Sequence, residues 1–242
     1  ETMEYMHKYG ATIDMISAVT IKNRKHATMN PNARFQKEVT LEEINASRMI
    51  ASPLRLYHCA PTADGATCIV LVAKDKVPNP SRAVKIRAAT MVSGKYGDAF
   101  YQNGMVESVK FPTDVSFTRQ SILDAYDMAG VGPEDIDVIQ AYDSMAPSEL
   151  WDLEYLGFAK PGEAGHMVQE GYFSLGGTKP SNTDGGLMGR GHPLGATGTT
   201  QIYEIVTQLR GEAGARQVEG ARLGITHTCG AGPNSAVTIL EK

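Results

Sequence analysis

Cysteine is scarce in this chain of 242 residues: Cys59, Cys68 and Cys229 make an odd number with no Cys-x-x-Cys spacing. That argues against a disulfide framework and against a zinc ribbon, and no metal site is expected. Neither sign of charge dominates, with 23 Lys and Arg against 27 Asp and Glu and a net charge of −4. Such a balance gives no footprint for nucleic acid or for an acidic membrane. The one basic cluster, Lys22-Asn-Arg24-Lys25-His26, is too short to act as a tail. No apolar run nears the roughly 20 residues of a bilayer span, and no signal peptide is evident, so a cytoplasmic protein is expected. An initiator methionine is also missing. The chain starts Glu1-Thr-Met-Glu inside what already reads as helix, as a piece of something longer would.

What is present is an ordinary globular composition, 42% hydrophobic and 21% charged, long enough for a substantial core. Residues 1–27 read as helix in two pieces broken at Gly10, the second with Ile13, Ile16 and Val19 on one side. Arg34–Val39 reads as a polar covering loop. Thr40-Leu-Glu-Glu43 is a capping box opening one short helix that ends by Ser47. Ala66–Ala73 is a continuous apolar run suited to a strand buried on both faces. Pro78-Asn-Pro80-Ser81 is the best boundary, dividing the chain into 1–80 and 81–242. Beyond it, strands are expected at 84–91, 136–142, 223–227 and 236–240. Helices are expected around Ile122–Ala129, Leu150–Leu156 and Ile202–Leu209, and 93–111 has no clean period. Alternating strands and helices make a layered α/β domain.

Chemistry gathers in three places. Ser181–Gly198 holds six glycines around Gly191-His192-Pro193 and feeds the helix that carries Ile202, Ile205, Val206 and Leu209. Its Gly189-x-Gly191-x-x-x-Gly195 is a relaxed dinucleotide fingerprint, but no hydrophobic strand runs directly into it, so a nicotinamide site is disfavoured. A histidine held rigidly at a helix N-terminus is disposed to be neutral, able to donate to an oxyanion or to take a proton from a thiol. His227-Thr228-Cys229-Gly230 follows a strand and offers a thiol two residues from a histidine. Tyr142-Asp143-Ser144-Met145 follows another strand, at the end where open α/β sheets place their sites. Cys59 and Cys68 lack such a setting and read as core.

These motifs resemble the thiolase superfamily, in particular the branch of lipid-transfer thiolases. The resemblance rests on Asn182-x-x-Gly185-Gly186 followed by Gly191-His192-Pro193-x-Gly195-Ala196-x-Gly198, on Gln208–Val218 with Gly220-Ala-Arg222, on Asp64-Gly65-Ala66 and on His7–Pro31. It implies a thiolase-like layered α/β fold. Residues 81–242 would be a complete C-terminal domain, and residues 1–80 the loop domain and last strand of the N-terminal domain. It further implies carbon–carbon bond chemistry next to a coenzyme A thioester, with coenzyme A as substrate and no covalently bound cofactor. The candidate catalytic residues are then His192, His227, Cys229 and Tyr142, and the oxyanion or substrate-binding residues are Asn182, Gly191, Ser144 and Gly230. The family's acyl-accepting cysteine lies in an N-terminal half that this chain would need as partner. A homodimer or higher oligomer and an accessory subunit of OB-fold and zinc-ribbon type are family expectations.

Tyr142-Asp143-Ser144-Met145 stands where that branch carries His-Asp-Cys-Phe. Serine is a poor proton shuttle at neutral pH, which leaves His227 or Cys229 as second acid/base. Tyrosine at the first position also resembles thiolase-like aldolases acting on steroid side-chain thioesters, so a retro-aldolase on a 3-hydroxyacyl-CoA is one alternative. A non-catalytic acyl-CoA-binding subunit is another.

Overall fold

A computed structural model describes residues 1–94, 116–230 and 234–242. Helix α1 (Thr2–Tyr9) stops where Gly10 turns left-handed at φ 71°, its N–H returning to Met6 O. Helix α2 (Ile13–Thr28) starts at Thr12, whose side chain accepts from Met15 N–H. Helix α3 (Leu41–Ala46) has the expected reciprocal cap between Thr40 and Glu43. A two-stranded ladder, β1 (Met49–Ala51) with β2 (Leu54–Arg55), follows.

The main sheet takes β3 (Lys85–Ser93), β4 (Val138–Gln140), β5 (Leu223–Cys229) and β6 (Asn234–Glu241) in the order β3-β6-β5-β4. β4 and β5 are parallel, and β6 runs antiparallel to both neighbours. Helix α4 (Phe117–Ala129), closed by a left-handed Gly130, precedes β4; α5 (Ala146–Tyr155), α6 (Ala164–Gln169), α7 (Gly186–Arg190) and α8 (Thr197–Leu209) separate β4 from β5.

The period of 2 sorts the strand side chains into two layers. Ile139, Ile225, Val237 and Ile239 share one core with Ile122 and Ala125 of α4 and with Leu150 and Leu153 of α5. Val138 and Leu240 face the other way, onto Ile205 and Leu209 of α8. Gly224 makes that second contact close: a Cβ there would lie 2.5 Å from an Ile205 methyl. Burying one such side chain contributes roughly 1.5–3 kcal/mol.

The strand expected at Ala66–Ala73 does not form. No strand among the described residues pairs with it, and Val70 and Leu71 are 81% and 73% exposed. A strand without a ladder has unsatisfied backbone groups and no packed face, so apolar composition alone does not make one. Cys68, expected in the core, lies on this exposed segment, and Cys59 is only partly buried. Most of the segment expected to lack a clean period, 93–111, falls outside the described residues. Among the described residues, no helix is long and apolar enough to cross a membrane.

Candidate functional site

The C-terminal ends of β4 and β5 open toward one place, and α7 delivers the histidine loop to it. Gly191 leaves α7 at φ 110°, where a Cβ would stand 3.0 Å from that of Ala63, so glycine is required twice over. The covering loop expected at 34–39 lies on this turn: Arg34 and Phe35 donate their amides to Arg190 O and Gly189 O. A stretch without any motif, Cys59–Thr62, stitches the loops together. Ala60 N–H donates to Ser144 O, His192 N–H donates to Pro61 O, and Thr62 bridges to His192.

His192 is partly buried, and its tautomer follows from its neighbours. Thr197 Oγ1 donates its only proton to Pro193 O at 3.0 Å, so at 2.8 Å it accepts from His192 Nδ1–H. Nε2 therefore carries a lone pair, 3.5 Å from the Tyr142 hydroxyl. Burial, and then the Arg190 charge, hold the ring's pKa below its ordinary value, which favours the neutral form. A ring in this state accepts a proton at Nε2 first; only afterwards can the same atom donate to an oxyanion.

Burial pushes the Tyr142 hydroxyl up to about 12, with Cys229 and Asp143 adding to it and a hydrogen bond from Ser144 opposing it. The phenol is thus a donor at neutral pH. Asp152 joins this corner to that of β5, since it accepts the Tyr142 main-chain N–H at 2.7 Å and pairs with His227 Nδ1.

At that corner His227 is fully buried. Nδ1 pairs with Asp152 of α5, and Nε2 lies 2.8 Å from Ser235 Oγ and 3.7 Å from Cys229 Sγ. Burial opposes its charge, but Asp152 and then Cys229 overcome this and raise its pKa well above the ordinary value. Of the remaining candidates, Asn182 is fully buried with φ 50°, and its Oδ1 accepts from Ala141 N–H, bracing the end of β4. Its Nδ2 has no hydrogen-bond partner, and it bonds to neither His192 nor Tyr142. The Gly230 amide donates to Asn234 O at 3.3 Å, joining the end of β5 to the start of β6.

Sequence reasoning missed three residues. Asp152 was hidden in an apolar helix, though an acid between Trp151 and Leu153 on a buried face was a signal. Lys22 and Glu149 form a fully buried ion pair at 2.7 Å, with Ser181 donating to Glu149 and Asn23 bridging Glu149 to Asp143. Asp143 in turn accepts the Leu187 and Met188 amides that open α7. Burial and the Glu149 charge raise its pKa, while those amide donors oppose the shift. Among the described residues, no group of three or more His, Cys, Asp or Glu is placed to hold a metal ion.

A layered α/β domain whose strand ends converge on a Gly-His-Pro loop is the arrangement of thiolases, and residues 100–242 match the family model described as thiolase C-terminal domain-like. The chain belongs to this family. It is 38% identical over 241 residues to sterol carrier protein 2 of Oryctolagus cuniculus, covering 98% of this chain and 43% of that protein. It is 37% identical over 240 residues to an acetyl-CoA acetyltransferase of Methanothermobacter thermautotrophicus, covering 98% of this chain and 61% of that one. Among solved structures, an Ltp2-ChsH2(DUF35) aldolase superposes with a TM-score of 0.81 at 28% identity, covering 99% of this chain and 61% of that one. The chain thus spans about half the length of the curated relatives it matches.

Proposed function

We propose that this chain carries the acid–base side of a thiolase-type site that forms or cleaves a carbon–carbon bond in a 3-oxoacyl-CoA. The observation that carries the reading is the fixed tautomer of His192, with Nδ1–H held by Thr197 and a lone pair on Nε2. In the cleavage direction, a cysteine from the part of the relatives that this chain does not span gives its proton to Nε2 and takes the acyl group. The imidazolium then donates to the thioester oxygen, and such preorganised donors contribute much of the rate of acyl transfer. The acyl-CoA carbanion that leaves takes a proton from Cys229. The incoming coenzyme A thiol returns that proton to Cys229, and His192 reprotonates the departing cysteine. His227 is fully buried with both nitrogens engaged, so its exchange with a substrate runs through Cys229.

One observation favours a second reading. The Tyr142 hydroxyl faces His192 Nε2, and the chain is 28% identical to an aldolase. In a retro-aldolase, Tyr142 and His192 would remove the hydroxyl proton of a 3-hydroxyacyl-CoA. A carbonyl compound and an acyl-CoA would leave, with no acyl-cysteine and no coenzyme A consumed. That aldolase pairs Ltp2 with ChsH2, a DUF35 protein, which supports an accessory subunit for this chain too.

The test is to incubate the full-length protein with a 3-oxoacyl-CoA plus coenzyme A, and separately with a 3-hydroxyacyl-CoA, and to weigh the intact protein. A trapped acyl-cysteine supports the thiolase, whereas carbonyl release without one supports the aldolase. Activity of the assembled complex untouched by His192→Ala rejects both and leaves a non-catalytic acyl-CoA-binding subunit.

A further inference from the structure

Asp152 lies fully buried on α5 and its two oxygens serve opposite sides of the constellation. One pairs with His227 Nδ1, and the other accepts the Tyr142 main-chain N–H at 2.7 Å. The hydroxyls beyond His227 fix its second proton. Ser121 Oγ donates to Thr118 O at 2.8 Å, so at 2.6 Å it accepts from Ser235 Oγ–H. Ser235 has then used its only proton and accepts from His227 Nε2–H. With a carboxylate at Nδ1 and an acceptor at Nε2, the ring holds a proton on both nitrogens.

We propose that Asp152 is the positioning residue of the site, keeping His227 a doubly protonated cation beside Cys229 while fixing the main chain that presents Tyr142 to His192. The proposal deepens the function inferred above and rests on it for its catalytic consequence. His227 then acts only as an acid and as a charge behind Cys229, never as the base that opens the reaction; that step falls to His192. The groups facing His227 are Asp152 from α5, Ser235 from β6 and Cys229 on its own strand. Tyr142 is tied to the same group by its main-chain N–H on Asp152.

Asp152→Asn separates charge from shape. Asparagine Oδ1 still accepts from Tyr142 N–H, and its Nδ2 donates to His227 Nδ1, which forces the neutral Nε2–H tautomer. The full-length protein, with 15N-labelled histidine and His227 assigned by His227→Gln, is read by nitrogen NMR. The expected result is an imidazolium at about pH 7 in the native protein, above the ordinary histidine midpoint, and a neutral ring in Asp152→Asn. A neutral His227 in the native protein overturns the assignment, whatever the reaction proves to be. Activity is the second arm: Asp152→Asn lowers kcat by about 10²-fold or more, the usual range for a lost acid–base group, with KM little changed and the pH profile displaced. A native kcat and pH profile with His227 neutral leaves Asp152 a merely structural role and refutes the proposal. If Asp152→Asn does not fold, the native spectrum still decides, since a neutral His227 there refutes the proposal, and Ser235→Ala, which removes the acceptor at Nε2, should lower the midpoint of His227.

Discussion

Acid should attack this molecule through His26. Its ring is 2% exposed on α2, Nδ1–H donates to Asn182 O at 3.0 Å, and Nε2 accepts from Leu175 N–H at the same distance. A second proton would set Nε2–H against the Leu175 N–H. Burial first, and the Lys22 charge second, push the pKa of His26 down from 6.5 to about 4. A histidine depressed in the folded state contributes stability that is complete above 6.5 and lost as pH falls toward about 4. That depression corresponds to about 3 kcal/mol lost by about pH 4. Other groups titrate in the same window, Asp143 with the opposite sign because its folded pKa is raised. The diagnostic quantity is therefore the difference between the native protein and His26→Gln. Urea unfolding should find the variant weaker at about pH 7, with that deficit shrinking by about 3 kcal/mol toward about pH 4. A deficit independent of pH refutes the reasoning, since His26 would then titrate alike folded and unfolded.

Two further outcomes test the framework around the site. Thr197→Val keeps the shape but removes the acceptor of His192 Nδ1–H; one lost hydrogen bond of about 1 kcal/mol predicts a fall in kcat of about 5-fold. Steady-state kinetics should find KM unchanged and the rate restored by Thr197→Ser. Lys22→Met leaves Glu149 charged and buried without its cation, which costs about 3–5 kcal/mol in comparable buried pairs. Thermal unfolding measures it, and Glu149→Gln added to the same chain should recover part of the loss.

The sequence was most informative where local rules and tertiary structure agree. Gly10 and Gly130 end helices because their left-handed backbone needs no partner, and Thr40 with Glu43 caps a helix from four residues alone. The alternation of strands and helices carried the layered fold in the same way, and the glycine loop announced His192. Long-range pairing was not legible. Lys22, Arg24 and His26 read as a basic cluster too short to act as a tail, and nothing in that reading signalled that all three are buried, with carboxylate, aromatic or backbone partners brought from elsewhere in the chain. Asp152 could be seen as an oddity in an apolar helix, but its attachment to His227, 75 residues on, could not. The apolar run at 66–73 failed in the opposite direction: its composition signals burial, but a strand also needs neighbours.

That same run has a practical consequence. Ala66-Thr-Cys-Ile-Val-Leu-Val-Ala73 is eight residues without charge, proline or glycine, rich in β-branched side chains, and its Val70 and Leu71 are turned outward. Such a segment is a template for edge-to-edge association between molecules, and Asp64 before it with Lys74, Asp75 and Lys76 after it are the only charges close enough in sequence to discourage stacking. A lysine placed at Val70 or Leu71 is therefore expected to raise the solubility of the isolated polypeptide.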